Sequence, residues 1–539
     1  MKALRIVTIS ILAVLMTGCG NNTRKDNRPN IIIVMSDDMG FSDIGSYGGE
    51  ISTPNLDNLA TEGIRFTQFY NNARCCPSRA ALLTGLYPHQ TGLGGMVDGV
   101  IRDGGYSGEI SRNNVTIAEA LGEAGYKSYM SGKWHVARSS TPDDKSNWPL
   151  QRGFDRYYGT ITGAGSFYDP GTLTWMNDPV KATPGFYYTD AISDTAALFI
   201  NDHGKENKDD PFFLYVAYTA PHWPLHAPEE EINKYEDLYS AGWDKLRDER
   251  MIRLKESGII GDDILLSERD RRVMPWDSVP EKEWQGRRMA TYAAMVDIMD
   301  QGIGRIVEAL ENNGMKENTL IFFLADNGGC AEGWNTETEW IKRYGPTHTF
   351  DGVELIFGND PSIIPGPDST YTSYSTEWAN LSNTPFRWYK HYGHEGGVAS
   401  PLIMHWPERL NEGNALRRQV SGIIDIMATI LEVTGAEYPE LYNGNAIIPL
   451  EGVSLMGAAA ENKPIDREAL YFEHGGNKYI RKGDWKLVSL GNRDWELYDM
   501  EKDRSETNNL AAEYPQLVKE MKDDWERWAW RTGVLPKPR

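Results

Sequence analysis

The sequence predicts an α/β fold: a large central, mostly parallel sheet flanked by helices, followed by a smaller C-terminal α+β domain built on a short antiparallel sheet. Three observations lead there. From Pro29 to about Pro407, short apolar runs alternate with helical patterns. Those runs are continuous in Ile, Val, Leu and Phe, which marks strands buried on both faces and covered by helices. After about Asp466 the runs become short and alternating, as half-buried antiparallel strands do.

In chain order, the strands of the large domain are expected at Asn30 to Ser36 (NIIIVMS), Lys127 to Met130, Pro211 to Tyr218 (PFFLYVAY), Thr319 to Ala325 (TLIFFLA) and Pro401 to Trp406 (PLIMHW). Helices are expected between them. Thr53 as N-cap and Pro54 in the first turn open Asn55 to Glu62, and further helical patterns run near Thr116 to Ala124, Asp190 to His203, Arg287 to Asn313 and Ile423 to Thr434. Two polar stretches, Tyr235 to Gln285 and Cys330 to Leu381, are long for simple loops, and such insertions often wall a site. In the C-terminal part, strands are expected at Ala469 to Glu473, Lys478 to Lys482, Trp485 to Ser489 and Trp495 to Tyr498, with a closing helix over Leu510 to Trp530. The division is 1–18 signal peptide, 19–28 tether, 29–465 large domain and 466–539 C-terminal subdomain.

The N-terminus reads as a targeting segment. Lys2 and Arg5 precede an apolar run from Ile6 to Met16, too short for a membrane span of ~20 residues. Met16-Thr17-Gly18-Cys19 resembles the bacterial lipobox, with Met where Leu is usual, which implies cleavage before Cys19 and a lipid on it. The expected location is exported and membrane-anchored through that lipid. The tether lacks an acidic run, which favours the periplasmic face.

Composition narrows the partners. Among 539 residues, 40% are hydrophobic and 11% aromatic, enough for a large core, so disorder is not expected. The formal charge of −22 argues against nucleic acid, whose binding wants a basic face. With Cys19 assigned to lipid, Cys75, Cys76 and Cys330 remain. An odd number of thiols in an exported protein invites a chemical role. Cys76 and Cys330 are expected close in space, as a packed pair or a disulfide.

Polar clusters follow four of the strands: Asp37-Asp38, Lys133-Trp134-His135, His222 and Asp326-Asn327. Ligands bind outside the carboxyl ends of strands in open parallel sheets. Each cluster alone reads as a solvated turn; four converging on one edge read as a site. Asp37, Asp38, Asp326 and Asn327 offer only oxygen ligands, which suits Ca²⁺ or Mg²⁺ better than zinc. The alternative is an Asx turn at each strand end.

The segment Cys75-Cys76-Pro77-Ser78-Arg79-Ala80-Ala81-Leu82-Leu83-Thr84-Gly85 resembles the signature of the type I sulfatases, Cys-x-Pro-x-Arg followed by Leu-Thr-Gly, and so the alkaline-phosphatase-like superfamily. The resemblance implies that a maturation enzyme oxidises Cys75 to formylglycine (3-oxoalanine). It also matches Asp37, Asp38, Asp326 and Asn327 to the family's metal ligands, which oxidised Cys75 joins. Lys133 and His135 fit the Gly-Lys-x-His element, His222 the Pro-His element, and Lys390 the lysine before Glu395-Gly396-Gly397. Trp388 to Pro407 most resembles bacterial arylsulfatases.

The implied chemistry is sulfate-ester hydrolysis. One hydroxyl of the aldehyde hydrate attacks sulfur, and the second later expels sulfate. The cation, Arg79, Lys133 and Lys390 would hold the sulfate oxygens. Asp326 would activate the attacking hydroxyl, His222 with Lys390 would protonate the leaving oxygen, and His135 would assist sulfate release. Lys133, His222 and Lys390 also bind substrate in this scheme, and His391, beside Lys390, is a further pocket candidate. His394 and His474 read first as loop or supporting residues, and most of the 17 tryptophans as core.

The expected substrate is a sulfated carbohydrate, by exo-acting O-desulfation of a terminal galactose or N-acetylgalactosamine in host glycans, with aryl sulfates also turned over. The alternatives are a phosphonate monoester or phosphodiester hydrolase of the same superfamily and a catalytically dead glycan-binding lipoprotein.

Overall fold

Strand β1 (Asn30–Ser36) shows why the apolar runs are continuous. Ile31, Ile33 and Met35 enter the core on one face of the sheet, Ile32 and Val34 the core on the other, and all five are essentially inaccessible. A residue period of two, with both faces covered, leaves no polar position. The protein is described by a computed structural model over residues 27–536, except 98, 100–101, 103, 139–142, 334–345 and 492. The expected signal peptide, Cys19 and most of the tether lie outside the described residues.

β1 lies inside an eleven-stranded sheet that continues through β2 (Ile64–Tyr70), β3 (Lys127–Gly132), β4 (Arg156–Thr160), β5 (Leu173–Trp175), β6 (Asp178–Pro179), β7 (Phe212–Ala217) and β8 (Thr319–Ala325). Inside the second insertion, β9 (Ile356–Phe357) and β10 (Thr370–Tyr371) pair with each other. The main sheet resumes with β11 (Ala399–His405), β12 (Ala415–Arg417) and β13 (Ser421–Gly422). Its order is β12-β2-β11-β8-β1-β7-β3-β4-β5-β6, with β13 also on β2. The five strands β8, β1, β7, β3 and β4 are mutually parallel, with Ile32 level with both Leu214 and Ile321. β11 runs antiparallel to both β8 and β2. This direction was not legible in its apolar run, because a doubly buried strand looks the same either way.

Helices Tyr188–Glu206 and Lys282–Asn312 cover one face, and Cys75–Thr84, Ile117–Glu123 and Asp425–Thr434 the other. After the small hairpin of β14 (Leu441–Tyr442) and β15 (Asn445–Ala446), the antiparallel sheet β16 (Leu470–His474), β17 (Asn477–Lys482), β18 (Trp485–Ser489) and β19 (Trp495–Asp499) packs Phe472, Tyr479 and Leu487 into that second core. The closing helix spans Pro515–Arg531 and starts later than the apolar pattern suggested, with proline in its first turn.

A buried ionic cluster joins the two parts. Glu395, from the Glu-Gly-Gly element, accepts from Lys486 of β18 (2.8 Å), Arg504 (3.2 Å) and the Tyr70 hydroxyl (3.1 Å). Burial alone would raise Glu395; Lys486 and Arg504 instead hold it below the usual carboxylate range. The two following glycines let this segment fold back. A Cβ on Gly396 would meet the Trp388 carbonyl at 2.1 Å, and one on Gly397 the Tyr392 carbonyl at 2.2 Å.

Candidate active site

The carboxyl ends of β1, β3, β7 and β8 share one edge, and Asp37-Asp38, Lys133, His222 and Asp326-Asn327 follow them. Because β11 is reversed, it is the segment before it that reaches this edge and delivers Lys390. Cys75 heads the buried helix that starts five residues beyond β2.

Asp38 is the hub. Its backbone N–H donates to Asp326 Oδ1 (3.2 Å), its Oδ1 accepts from Asn327 Nδ2 (2.7 Å), and its Oδ2 accepts from Lys390 Nζ (2.8 Å). His222 Nε2 lies 3.3 Å from both Asp38 Oδ2 and Lys390 Nζ. Lys133 Nζ donates to Asp37 Oδ2. Burial would raise Asp37, but Lys133, His222 and Arg79 bring it below the ordinary carboxylate value. Burial and the nearby Asp37 push Asp326 well above that value.

Two acceptor oxygens in this group, Asp37 Oδ1 and Asn327 Oδ1, are buried without a hydrogen-bond partner. Buried polar atoms are ordinarily satisfied, and unpaired carboxylate and amide oxygens are what a hard divalent cation takes. The residues present therefore fit such an ion. Ligand atoms of Asp37, Asp38 and His222 also lie within 4.8 Å of one another, so the His222 imidazole stands beside the oxygen set expected from sequence.

Arg79 is engaged on Asp326. Its Nε and Nη2 donate to Asp326 Oδ2 (3.1 and 2.9 Å), Nη1 to the Lys133 carbonyl and the Tyr215 hydroxyl, and Nη2 also to the Tyr218 carbonyl. Five contacts match the five N–H groups of a guanidinium, and the side chain is wholly buried. Arg79 thus fixes Asp326 and the ends of β3 and β7.

The Cys75 thiol is held well below the usual thiol range by a hydrogen bond from Cys76 and, against burial, by Lys133 and His135. Burial pushes Cys76 and Cys330 the other way. All three cysteines are free, so no disulfide joins Cys76 to Cys330. His135 sits against Cys75, with burial lowering its pKa, and Gly163 leaves room for its ring. Asp38, Ala73, His135 and His391 all adopt left-handed backbone, with φ of 64°, 52°, 54° and 83°. Such non-glycine strain collects where surrounding structure imposes it for function.

Beside this pocket stands a polar cluster that sequence reasoning missed. Glu332 accepts from Arg74 Nη1 (2.7 Å) and Trp223 Nε1 (2.9 Å), lies 2.9 Å from His391 Nε2, and is 3.8 Å from Lys390 Nζ. Burial opposes its ionisation, yet Lys390 and Arg74 hold Glu332 well below the carboxylate range. The available signal was adjacency: Arg74 precedes Cys75, Trp223 follows His222, and Glu332 is five residues after Asn327. His391, a pocket candidate from sequence, is part of this cluster. His394 instead pairs with Glu496 of β19, and His474 contacts the Gly94 carbonyl.

A family model described as Sulfatase matches residues 29–436, and one described as N-sulphoglucosamine sulphohydrolase, C-terminal, matches residues 385–529. The chain is 33% identical to an uncharacterised sulfatase of Schizosaccharomyces pombe, with 96% of each covered. It is 32% identical to an arylsulfatase of Klebsiella aerogenes, over 81% of this chain and 93% of the relative. Among solved structures, Ps i-CgsB in complex with k-i-k-neocarrahexaose superimposes with a TM-score of 0.66 and 26% identity, over 93% of both chains.

Proposed function

The chain belongs to the sulfatase family and is a sulfuric ester hydrolase, and on that premise we propose that it removes O-sulfate from the terminal sugar of a sulfated glycan, with sulfated galactose and N-acetylgalactosamine as first candidates, and also turns over aryl sulfates. The observation that carries this reading is Cys75 at the head of a buried helix, its thiol set against Lys133 and His135. It stands in the same buried charge cluster as Asp37 and Asp326.

In this proposal a maturation enzyme converts Cys75 to formylglycine, whose hydrate supplies one hydroxyl to attack sulfur and a second to release sulfate. A divalent cation, Ca²⁺ or Mg²⁺, held by Asp37, Asp38, Asp326 and Asn327, would supply positive charge for the sulfate oxygens. Lys133 and Lys390, each anchored on one of the paired aspartates, bring two ammonium groups to the same place. Asp326 is the proton acceptor on the nucleophile's side, and Arg79 orients it. His222 Nε2, with Lys390 beside it, protonates the leaving oxygen, and His135 assists sulfate release.

The cluster of Glu332, Arg74, His391 and Trp223 supports a sugar as leaving group. It presents an ionised acceptor, charged donors and an indole, a set suited to hydroxyls and a pyranose face. Export and a lipid on Cys19 belong to the same proposal. Among the described residues, no helix is long and apolar enough to cross a membrane.

The test is peptide mass spectrometry across Cys75 on protein made with the maturation system, with sulfate release measured from an aryl sulfate and a panel of sulfated monosaccharides. Thiol-to-aldehyde conversion with release from a sugar sulfate is expected. Full conversion with turnover of a phosphonate monoester and no release from any sulfate would overturn the substrate assignment.

A further inference from the structure

A cavity of about 610 Å³ lies between the Ser267–Arg272 loop, the Arg387–Tyr389 segment and the C-terminal part of the chain, and none of the residues assigned above to the nucleophile or the cation lines it. In a chain of formal charge −22, this one cavity gathers five guanidinium groups: Arg269, Arg271, Arg272, Arg387 and Arg493. Arg269 pairs with Asp244, Arg272 with Asp270 and Arg387 with Glu496 (3.9 Å), and Arg387 also donates to the Glu506 carbonyl. Arg271 and Arg493 are exposed and have no ion-pair partner among the described residues. Of the three carboxylates in the lining, Asp270 is taken by Arg272 and the Tyr389 hydroxyl, and Glu506 by Lys486, which leaves Glu268. The wall also holds Trp388. Arg387 and Arg272 stand over its ring at 5.7 and 5.9 Å, and its indole Nε1 is buried without a partner.

We propose that this cavity is a second, non-catalytic site that binds an anionic group, sulfate or carboxylate, on a glycan chain whose other end occupies the active site. Guanidinium forks match both groups bidentately, which a scatter of lysines would not. Trp388 and Tyr389 lead directly into Lys390. The cavity wall and an active-site lysine therefore belong to one continuous segment, Trp388 to Lys390. The site would let the enzyme prefer a multiply charged chain over an isolated sulfated monosaccharide.

Binding at this cavity does not rest on hydrolysis, so it is tested on intact protein carrying Cys75→Ala, which cannot turn over. Titration calorimetry with a chondroitin sulfate hexasaccharide, its desulfated uronate-bearing counterpart and sodium sulfate would be compared with and without the double substitution Arg271→Ala/Arg493→Ala. Both arginines are exposed and unpaired, so the melting temperature is expected to be unchanged. The double variant should bind the hexasaccharide at least ten-fold more weakly and with a shallower salt dependence. The same substitutions in matured Cys75 protein should leave kcat/KM for an aryl sulfate within two-fold. Loss of binding on desulfation assigns the anion as sulfate, and retention assigns it as carboxylate. Equal hexasaccharide affinity in parent and double variant would overturn the site, and sodium sulfate binding as tightly as the hexasaccharide would overturn its assignment to a glycan.

Discussion

Gly163→Ala is a substitution whose effect can be worked from distances. A Cβ at this position would sit 2.2 Å from Cε1 and 2.4 Å from Nε2 of His135. Non-bonded carbons prefer roughly 3.5–4.0 Å, so the imidazole must retreat by more than about 1 Å. It cannot swing freely, because its backbone is held at φ 54° and the side chain is buried. Gly163 itself has no positive φ, so alanine is unfavourable there through the ring alone. A displacement of about 1 Å at a catalytic group costs on the order of 10²-fold, or about 2.7 kcal/mol of transition-state stabilisation. Overpacking adds a stability cost of about 1–3 kcal/mol, so rates belong well below the melting transition. The assay is kcat/KM on an aryl sulfate, normalised to the formylglycine content of each preparation. The double variant with His135→Ala should be no slower than His135→Ala alone, because both changes remove the same contact. Parent-like activity of Gly163→Ala, or losses that add in the double variant, would refute the placement of His135 against the nucleophile.

Chelation of divalent cations should abolish activity and lower the melting temperature, and titrating back Ca²⁺ or Mg²⁺ separately should restore both, with the ion bound more tightly giving the larger thermal shift at equal concentration. His226 is buried, with its Nε2 2.7 Å from the Thr370 carbonyl, and desolvation pulls its pKa down to about 4. The unfolded chain therefore takes up a proton at this residue below about pH 6.5 and the folded chain does not until about pH 4. Its contribution is complete above pH 6.5 and up to about 3 kcal/mol is lost as pH falls toward 4; a His226→Gln variant should show a flatter melting profile over that window. Glu395→Ala should cost about 3 kcal/mol by leaving Arg504 and the Tyr70 hydroxyl unpaired, although Lys486 keeps Glu506. Its denaturation midpoint should drop accordingly, and an unchanged midpoint would show that the ionic cluster does not hold the C-terminal sheet.

What the sequence by itself determined was whatever depends on neighbours along the chain. NIIIVMS declares a strand buried on both faces because each residue's burial follows from its own side chain, and β1 is that strand. Cys75 to Gly85 carries the family signature within eleven residues, and Asp37-Asp38, Lys133 and Asp326-Asn327 announce themselves by following strands directly. What only the tertiary structure decided were the relations across long separations. The ammonium on Asp38 comes from Lys390, 352 residues away, because β11 runs opposite to its neighbours and turns its leading segment toward the site. That Arg79 spends its five N–H groups on Asp326 and on groups around the ends of β3 and β7 is likewise set only by the fold. Glu332 was marked only by its nearness to Asn327 in sequence; Arg74, Trp223, His391 and Lys390 surround it only once four separate segments converge. Hydrophobic burial and backbone geometry are set residue by residue and can be read in order. Which donors meet which acceptors is set by how the packed layers bring distant segments together.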